Sequence, residues 1–134
     1  MMSLMDWNEK LNVGVDQMND QHKVILTYMN TLYDDYQANK PFSVLKSSLD
    51  SLKDYTIKHF KEEEEYMESI DYDGIASHKI IHEKLLKTLG EHYENITSTQ
   101  KFNDDFFHFL KFWLSSHIQG IDVKYGKLKD QKSA

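Results

Sequence analysis

The run Phe42-Ser43-Val44-Leu45-Lys46-Ser47-Ser48-Leu49-Asp50-Ser51-Leu52-Lys53-Asp54-Tyr55-Thr56-Ile57-Lys58-His59-Phe60-Lys61-Glu62-Glu63-Glu64-Glu65-Tyr66 decides the fold. Phe42, Leu45, Leu49, Leu52, Thr56, His59, Glu63 and Tyr66 recur in alternating steps of three and four, which lines them along one face of an α-helix. That face carries leucines at its start and a histidine and a carboxylate four residues apart near its end. A carboxylate turned into a core without a counter-charge is costly, so Glu63 requires a cation.

Working outward, three more segments show the same inward periodicity. Upstream, from Asn19 to Gln37, His22, Ile25, Leu26, Met29, Leu32, Tyr33 and Tyr36 form one face, with Asn19 or Asp20 as the expected cap. The turn signal Ala38-Asn39-Lys40-Pro41 separates it from the quoted run. Downstream of a loop from Ser69 to Gly74, Ile75, His78, His82, Leu85, Leu89 and His92 form a third stripe running to about Ile96. After the polar stretch Thr97 to Gln100, Phe102, Phe106, Phe109, Leu110, Trp113 and His117 form a fourth. Short connections make neighbours antiparallel, so the expected fold is all-α, an up-down-up-down four-helix bundle. Residues 1–18, with Trp7, Leu11, Val13, Gly14 and Val15 but no clear period, are expected as an irregular arm. Residues 19–128 form the bundle of a single domain, and 129–134 a polar tail.

Composition fits. One proline and five glycines in 134 residues are too few turn formers for a protein of many short strands. There is no cysteine, so disulfides and thiolate metal sites are excluded and any metal must be held by nitrogen and oxygen. A net charge of -6 argues against nucleic acid as a partner. The start MMSLMDWNEKL has no charged and apolar signal pattern and no apolar run is long enough for a membrane span, so the chain reads as cytoplasmic.

Chemistry concentrates in seven side chains: His22, His59, Glu63, His78, His82, His117 and Asp122. The pairs His59/Glu63 and His78/His82 are four apart, which projects two donors from one helix face to a common point. In an antiparallel bundle the starts of the first and third helices and the ends of the second and fourth share one end, so all seven converge there. A lone histidine on an apolar face is usually a core histidine bonded to a neighbour, whereas five converging with two carboxylates point to metal. His92 is ten residues from His82, about 15 Å along a helix, and His108 is off the stripe; neither is expected as a ligand. Glu62, Glu64 and Glu65 read as a solvated face. Five imidazoles and two carboxylates exceed the needs of one ion and suit two bridged ions, with iron, manganese, zinc and copper all open by donor type.

The segments Val15-Asp16-Gln17-Met18-Asn19-Asp20-Gln21-His22-Lys23, His59-Phe60-Lys61-Glu62-Glu63-Glu64, His78-Lys79-Ile80-Ile81-His82 and Trp113-Leu114-Ser115-Ser116-His117-Ile118-Gln119-Gly120-Ile121-Asp122-Val123-Lys124-Tyr125 together resemble the hemerythrin family over nearly the whole chain. The resemblance implies two iron ions, one bound by His78, His82 and His117 and the other by His22 and His59, with Glu63, Asp122 and an oxo or hydroxo group as bridges. It also implies reversible dioxygen binding at the two-histidine iron, which keeps an open position, in a pocket lined by Ile25, Phe60, Trp113 and Leu114. Neutral imidazoles outnumbering carboxylates should disfavour the high oxidation states of di-iron oxidases, so the chain is read as a carrier and not as an enzyme. An oxidase or peroxidase-like enzyme, an oxygen- or iron-sensing module and iron storage are the competing readings.

One spacing is awkward. From His117 to Asp122 is five residues, which in a regular α-helix turns the second side chain about 140° from the first. A widened turn with i to i+5 hydrogen bonding would return Asp122 to the same face, and Gly120 between the two would ease it.

Overall fold

The computed structural model describes residues 4–127. Helices α1 (Asp16–Gln37), α2 (Phe42–Ser69), α3 (Ile75–Thr99) and α4 (Asp104–His117) follow in order, and α4 runs on into a π-helical segment, Ile118–Asp122. The described residues contain no strand. The helices form an antiparallel bundle in which α1 lies along α2 and α2 along α3. Helix α3 meets α4 where His92 stacks on Phe109, and Tyr33 of α1 meets Phe107 of α4 edge-on.

The stripes read from the sequence face inward. Ile25, Met29 and Leu32 of α1, Leu49 and Leu52 of α2, Leu89 of α3, and Phe106 and Leu110 of α4 are buried, each apolar side chain contributing about 1.5–3 kcal/mol to the folded state. At the end of the bundle where α2 and α4 begin, Tyr36, Phe42, Phe102 and Phe107 pack ring on ring with centroids 4.8–6.5 Å apart. Phe107 is buried although the expected stripe passes it by, because Tyr33 and Tyr36 of α1 pack against its ring. The opposite end is left to the polar side chains. No helix among the described residues is long and apolar enough to cross a membrane.

Three boundaries differ from expectation. Helix α1 begins at Asp16, and neither Asn19 nor Asp20 caps it. Asn19 instead accepts from the Val13 N–H at 3.0 Å and donates to Asn12 Oδ1 at 2.9 Å, tying the arm to the helix. The polar residues 97–99 belong to α3, because the hydroxyls of Thr97, Ser98 and Thr99 donate to carbonyls three and four residues back and stay satisfied within the helix. The fourth helix starts after Asn103, whose side chain caps it by accepting from the Phe106 N–H. Asn39, Asp71 and Gln100, with φ of 55°, 54° and 56°, turn the chain after α1, α2 and α3 in the left-handed conformation.

The arm is irregular apart from one 3-10 turn, Glu9–Leu11. It lies against the bundle through buried Leu11, Val13 and Val15, and Asn30 of α1 clasps both the N–H and the carbonyl of Met5. The polar tail expected at 129–134 lies outside the described residues. Where the arm crosses the helical turn after the π segment, a Cβ at Gly126 would overlap the Val13 carbonyl oxygen, whereas one at Gly90 within α3 would meet nothing within 4 Å. Gly90→Ala should therefore stabilise the protein by about 1 kcal/mol through helix propensity, and Gly126→Ala should destabilise it by separating arm and helix. Thermal unfolding followed by circular dichroism checks this, with the two midpoints expected to move in opposite directions by a few degrees.

Candidate metal centre

Seven buried side chains meet at the end of the bundle where α1 and α3 begin. Two overlapping groups form, Glu63, His78, His82, His117 and Asp122 in one and His22, His59, Glu63 and Asp122 in the other, with one donor atom of each residue within 4.8 Å of the rest of its group. Every histidine presents Nε2. The Nε2 atoms of His78, His82 and His117 lie 3.2, 2.9 and 3.9 Å from Glu63 Oε1, while those of His22 and His59 lie 3.5 and 3.4 Å from Glu63 Oε2. Asp122 divides in the same way, with Oδ1 2.9 Å from His78 and from His117 and Oδ2 3.2 Å from His22. Each carboxylate thus turns one oxygen to a three-nitrogen half and the other to a two-nitrogen half.

Metal fits this set on two grounds. First, the buried atoms are left to one another: among the described residues Asp122 Oδ1, Asp122 Oδ2 and His22 Nε2 have no hydrogen-bond partner outside the seven. Second, two ligand atoms each about 2.1 Å from an ion and at right angles lie about 3 Å apart, the range of the nitrogen–oxygen contacts here.

Helix geometry delivers the donors as the spacing implies, with one local distortion. His59/Glu63 and His78/His82 lie one turn apart on regular α2 and α3. Between His117 and Asp122 the helix widens, and the Val123 N–H bonds to the Ile118 carbonyl five residues back. This is the π turn that the five-residue spacing calls for. Gly120 is not what permits it sterically, since the position is exposed and a Cβ there would meet nothing within 4 Å.

Three residues bonded directly to the seven were not singled out from the sequence. His59 Nδ1 bonds to Gln21 Oε1 at 2.6 Å and His82 Nδ1 to Glu64 Oε2 at 2.9 Å. Tyr125 donates its hydroxyl to Glu63 Oε2 at 2.9 Å. Glu64 therefore does not belong to the plain solvated face assigned to it; it is half-buried and bridges α2 to α3. The signal was adjacency, since Gln21 and Glu64 each neighbour one of the seven in sequence. His92, stacked on Phe109 and tilted against Phe106, and exposed His108 lie in neither group. Ile25, Phe60, Trp113 and Leu114 are buried, and Phe60 stacks flat on His82 with centroids 3.8 Å apart and meets Trp113 edge-on.

Chain residues 13–128 match the family model described as hemerythrin HHE cation binding domain. The chain belongs to the hemerythrin family. It is 34% identical to a bacteriohemerythrin of Methylococcus capsulatus over 93% of its own length and 96% of the relative's. It is 33% identical to one of Stenotrophomonas maltophilia over 92% of this chain and 80% of that one. A solved wild-type hemerythrin superposes with a TM-score of 0.86 at 33% identity, covering 94% of this chain and 98% of the other. A leucine-to-alanine variant of a hemerythrin superposes at 0.87 and 32% identity, covering 95% and 98%.

The electrostatics of this hemerythrin-type centre follow from the same crowding. Burial disfavours charge on His22, but contact with Asp122 and Glu63 outweighs it and lifts the pKa to about 9. At His117 burial is likewise overcome, by Asp122 and Glu63, and the pKa rises to about 10. His78 rises for the same reason. Burial alone would raise Glu63 and Asp122, yet the surrounding histidines hold both carboxyls well below the ordinary range. Burial, reinforced by the charges of Glu63 and Asp122, pushes the Tyr125 phenol up. Without metal, His22 and His117 are thus protonated at neutral pH, and a metal must displace those protons. Loading with zinc in weakly buffered solution at about pH 7 should release about two protons per chain from these residues. Affinity should rise with pH until about 9 to 10, where both are neutral. A pH indicator dye and a chelator competition series would check both.

Proposed function

We propose that this protein binds dioxygen reversibly at a pair of iron ions held by His22, His59, Glu63, His78, His82, His117 and Asp122. The observation that carries the reading is the division of the carboxylate oxygens, Oε1 and Oδ1 toward three imidazoles and Oε2 and Oδ2 toward two. With both carboxylates bridging, one ion would have three nitrogens and two oxygens from the protein and the other two nitrogens and two oxygens. The second is one donor short, which leaves room for a small ligand. Two ferrous ions held by these residues would supply the two electrons that reversible dioxygen binding requires, one from each ion. The bacteriohemerythrin relatives lend the same reading their name.

The protein's own part is to orient, exclude water and limit oxidation. Neutral imidazoles outnumber carboxylates, which holds the ions back from higher oxidation states. Apolar side chains stand beside the centre: Ile25 lies one turn from His22, and Phe60 lies between the halves, its ring centroid 5.8 Å from that of His59 and 3.8 Å from that of His82. With Trp113 and buried Leu114, one turn before His117, they would keep water from the ligand position. The centre is thus read as a carrier of oxygen and not as a catalyst.

Reduction of the iron-loaded protein without air, admission of oxygen and its removal should produce and abolish a visible charge-transfer colour over repeated cycles. Irreversible bleaching on the first cycle, or steady turnover of peroxide with a reductant, would replace this reading with an oxidase or peroxidase. Leu114→Asn should leave iron content unchanged, since Leu114 is no ligand, and should accelerate loss of the oxygenated colour by admitting water. Iron analysis with a timed absorbance trace separates the two effects.

A further inference from the structure

The two halves of the centre differ in what stands behind their ligands. In the three-nitrogen half, His82 directs Nδ1 to the half-buried carboxylate of Glu64 at 2.9 Å. In the two-nitrogen half, His59 directs Nδ1 to the neutral amide oxygen of Gln21 at 2.6 Å. His22, His78 and His117 have no Nδ1 partner among the described residues. Both hydrogen bonds fix the Nδ1–H tautomer and leave the Nε2 lone pair aimed at the centre. Only one of them brings a charge.

That difference has a chemical consequence. An anionic acceptor behind an imidazole makes the ring a stronger donor, and a negative charge close to a largely buried ion favours its higher oxidation state. A neutral amide orients its imidazole and does neither. We propose that Glu64 is a positioning residue that makes the three-histidine position the tighter and the more readily oxidised of the two, with Gln21 as its uncharged counterpart behind the two-histidine position. The proposal rests on the two-ion reading of the centre.

Two variants test it. Glu64→Gln retains a hydrogen-bond acceptor and deletes the charge; Gln21→Glu adds a charge behind His59. Zinc affinities come from competition with a chromophoric chelator, and the potentials of the two oxidation steps from spectroelectrochemistry of the iron-loaded protein. The parent should take up two zinc ions per chain with unequal affinity. Glu64→Gln should weaken the tighter ion by about ten- to a hundredfold and move the first oxidation to a higher potential. Gln21→Glu should strengthen the weaker ion and move the second oxidation to a lower potential. A purely structural role for Glu64 would leave the potentials where they are, because the glutamine keeps the contact. Unchanged affinities and potentials in a folded Glu64→Gln protein overturn the proposal. If that variant does not fold, an unchanged second potential in Gln21→Glu overturns it instead. A parent that takes up one zinc ion only would overturn the two-ion reading and the proposal with it. Irreversible bleaching by oxygen, with the zinc affinities ordered as expected, would overturn the carrier role and support this proposal.

Discussion

Lone pair faces lone pair at the centre of this bundle. The Nδ1 proton of His82 is directed to Glu64, so its Nε2 meets Glu63 Oε1 at 2.9 Å as one electron-pair donor against another. Such a contact is repulsive unless a cation stands between the two atoms or the ring carries a second proton. At His22 and His117 the metal-free protein takes the second course, since Asp122 and Glu63 hold these two imidazoles protonated and the histidines hold the two carboxyls ionised. Seven polar groups at the core would otherwise be a heavy burden on a domain stabilised by only some 5–15 kcal/mol. The preference for a cation is thus built into the fold before any metal arrives.

The rest of the bundle allows that concentration of polarity. Leucines and aromatic rings fill the half of the interior where α2 and α4 begin, so the apolar driving force is gathered away from the centre. The links behind the histidines run between helices: Gln21 of α1 reaches His59 of α2, Glu64 of α2 reaches His82 of α3, and Tyr125, beyond the π segment, reaches Glu63 of α2. The same hydrogen bonds that orient the imidazoles therefore set how the helices lie against one another at the polar end. Packing and ligand geometry are not independent there.

How much of this was legible in the sequence depends on the length scale of the signal. Periodicity over many turns exposed the four helices and the inward faces of His22, His59, Glu63, His78, His82 and His117, because a stripe averages over local irregularity. Boundaries were less legible. Asn19 reads as a cap by residue type, yet the burial of Val15 and Met18 starts the helix earlier and frees its amide to hold the arm. Residues 97–99 read as a loop by polarity, yet their hydroxyls bond back along the helix. Glu64 was hidden for a different reason. In a run of four glutamates the helical wheel separates Glu63 from its neighbours, but it does not say which neighbour leans across the groove to a histidine of the next helix.

The five-residue step from His117 to Asp122 shows the opposite case, a local irregularity that chemistry made legible. A regular helix cannot turn both side chains to one point, so if both serve one centre the backbone must give way between them. It does so with hydrogen bonding retained, since the Val123 N–H finds the Ile118 carbonyl. The widened turn is closely packed: Ile118, Asp122 and Tyr125 are buried, and the arm lies so near that a Cβ at Gly126 would overlap the Val13 carbonyl oxygen. Helices α2 and α3 instead carry their donors at the undistorted four-residue spacing. The π turn is thus held between buried side chains, Ile118 and Asp122 within it and Tyr125 just beyond, so packing and ligand spacing fix the same distortion.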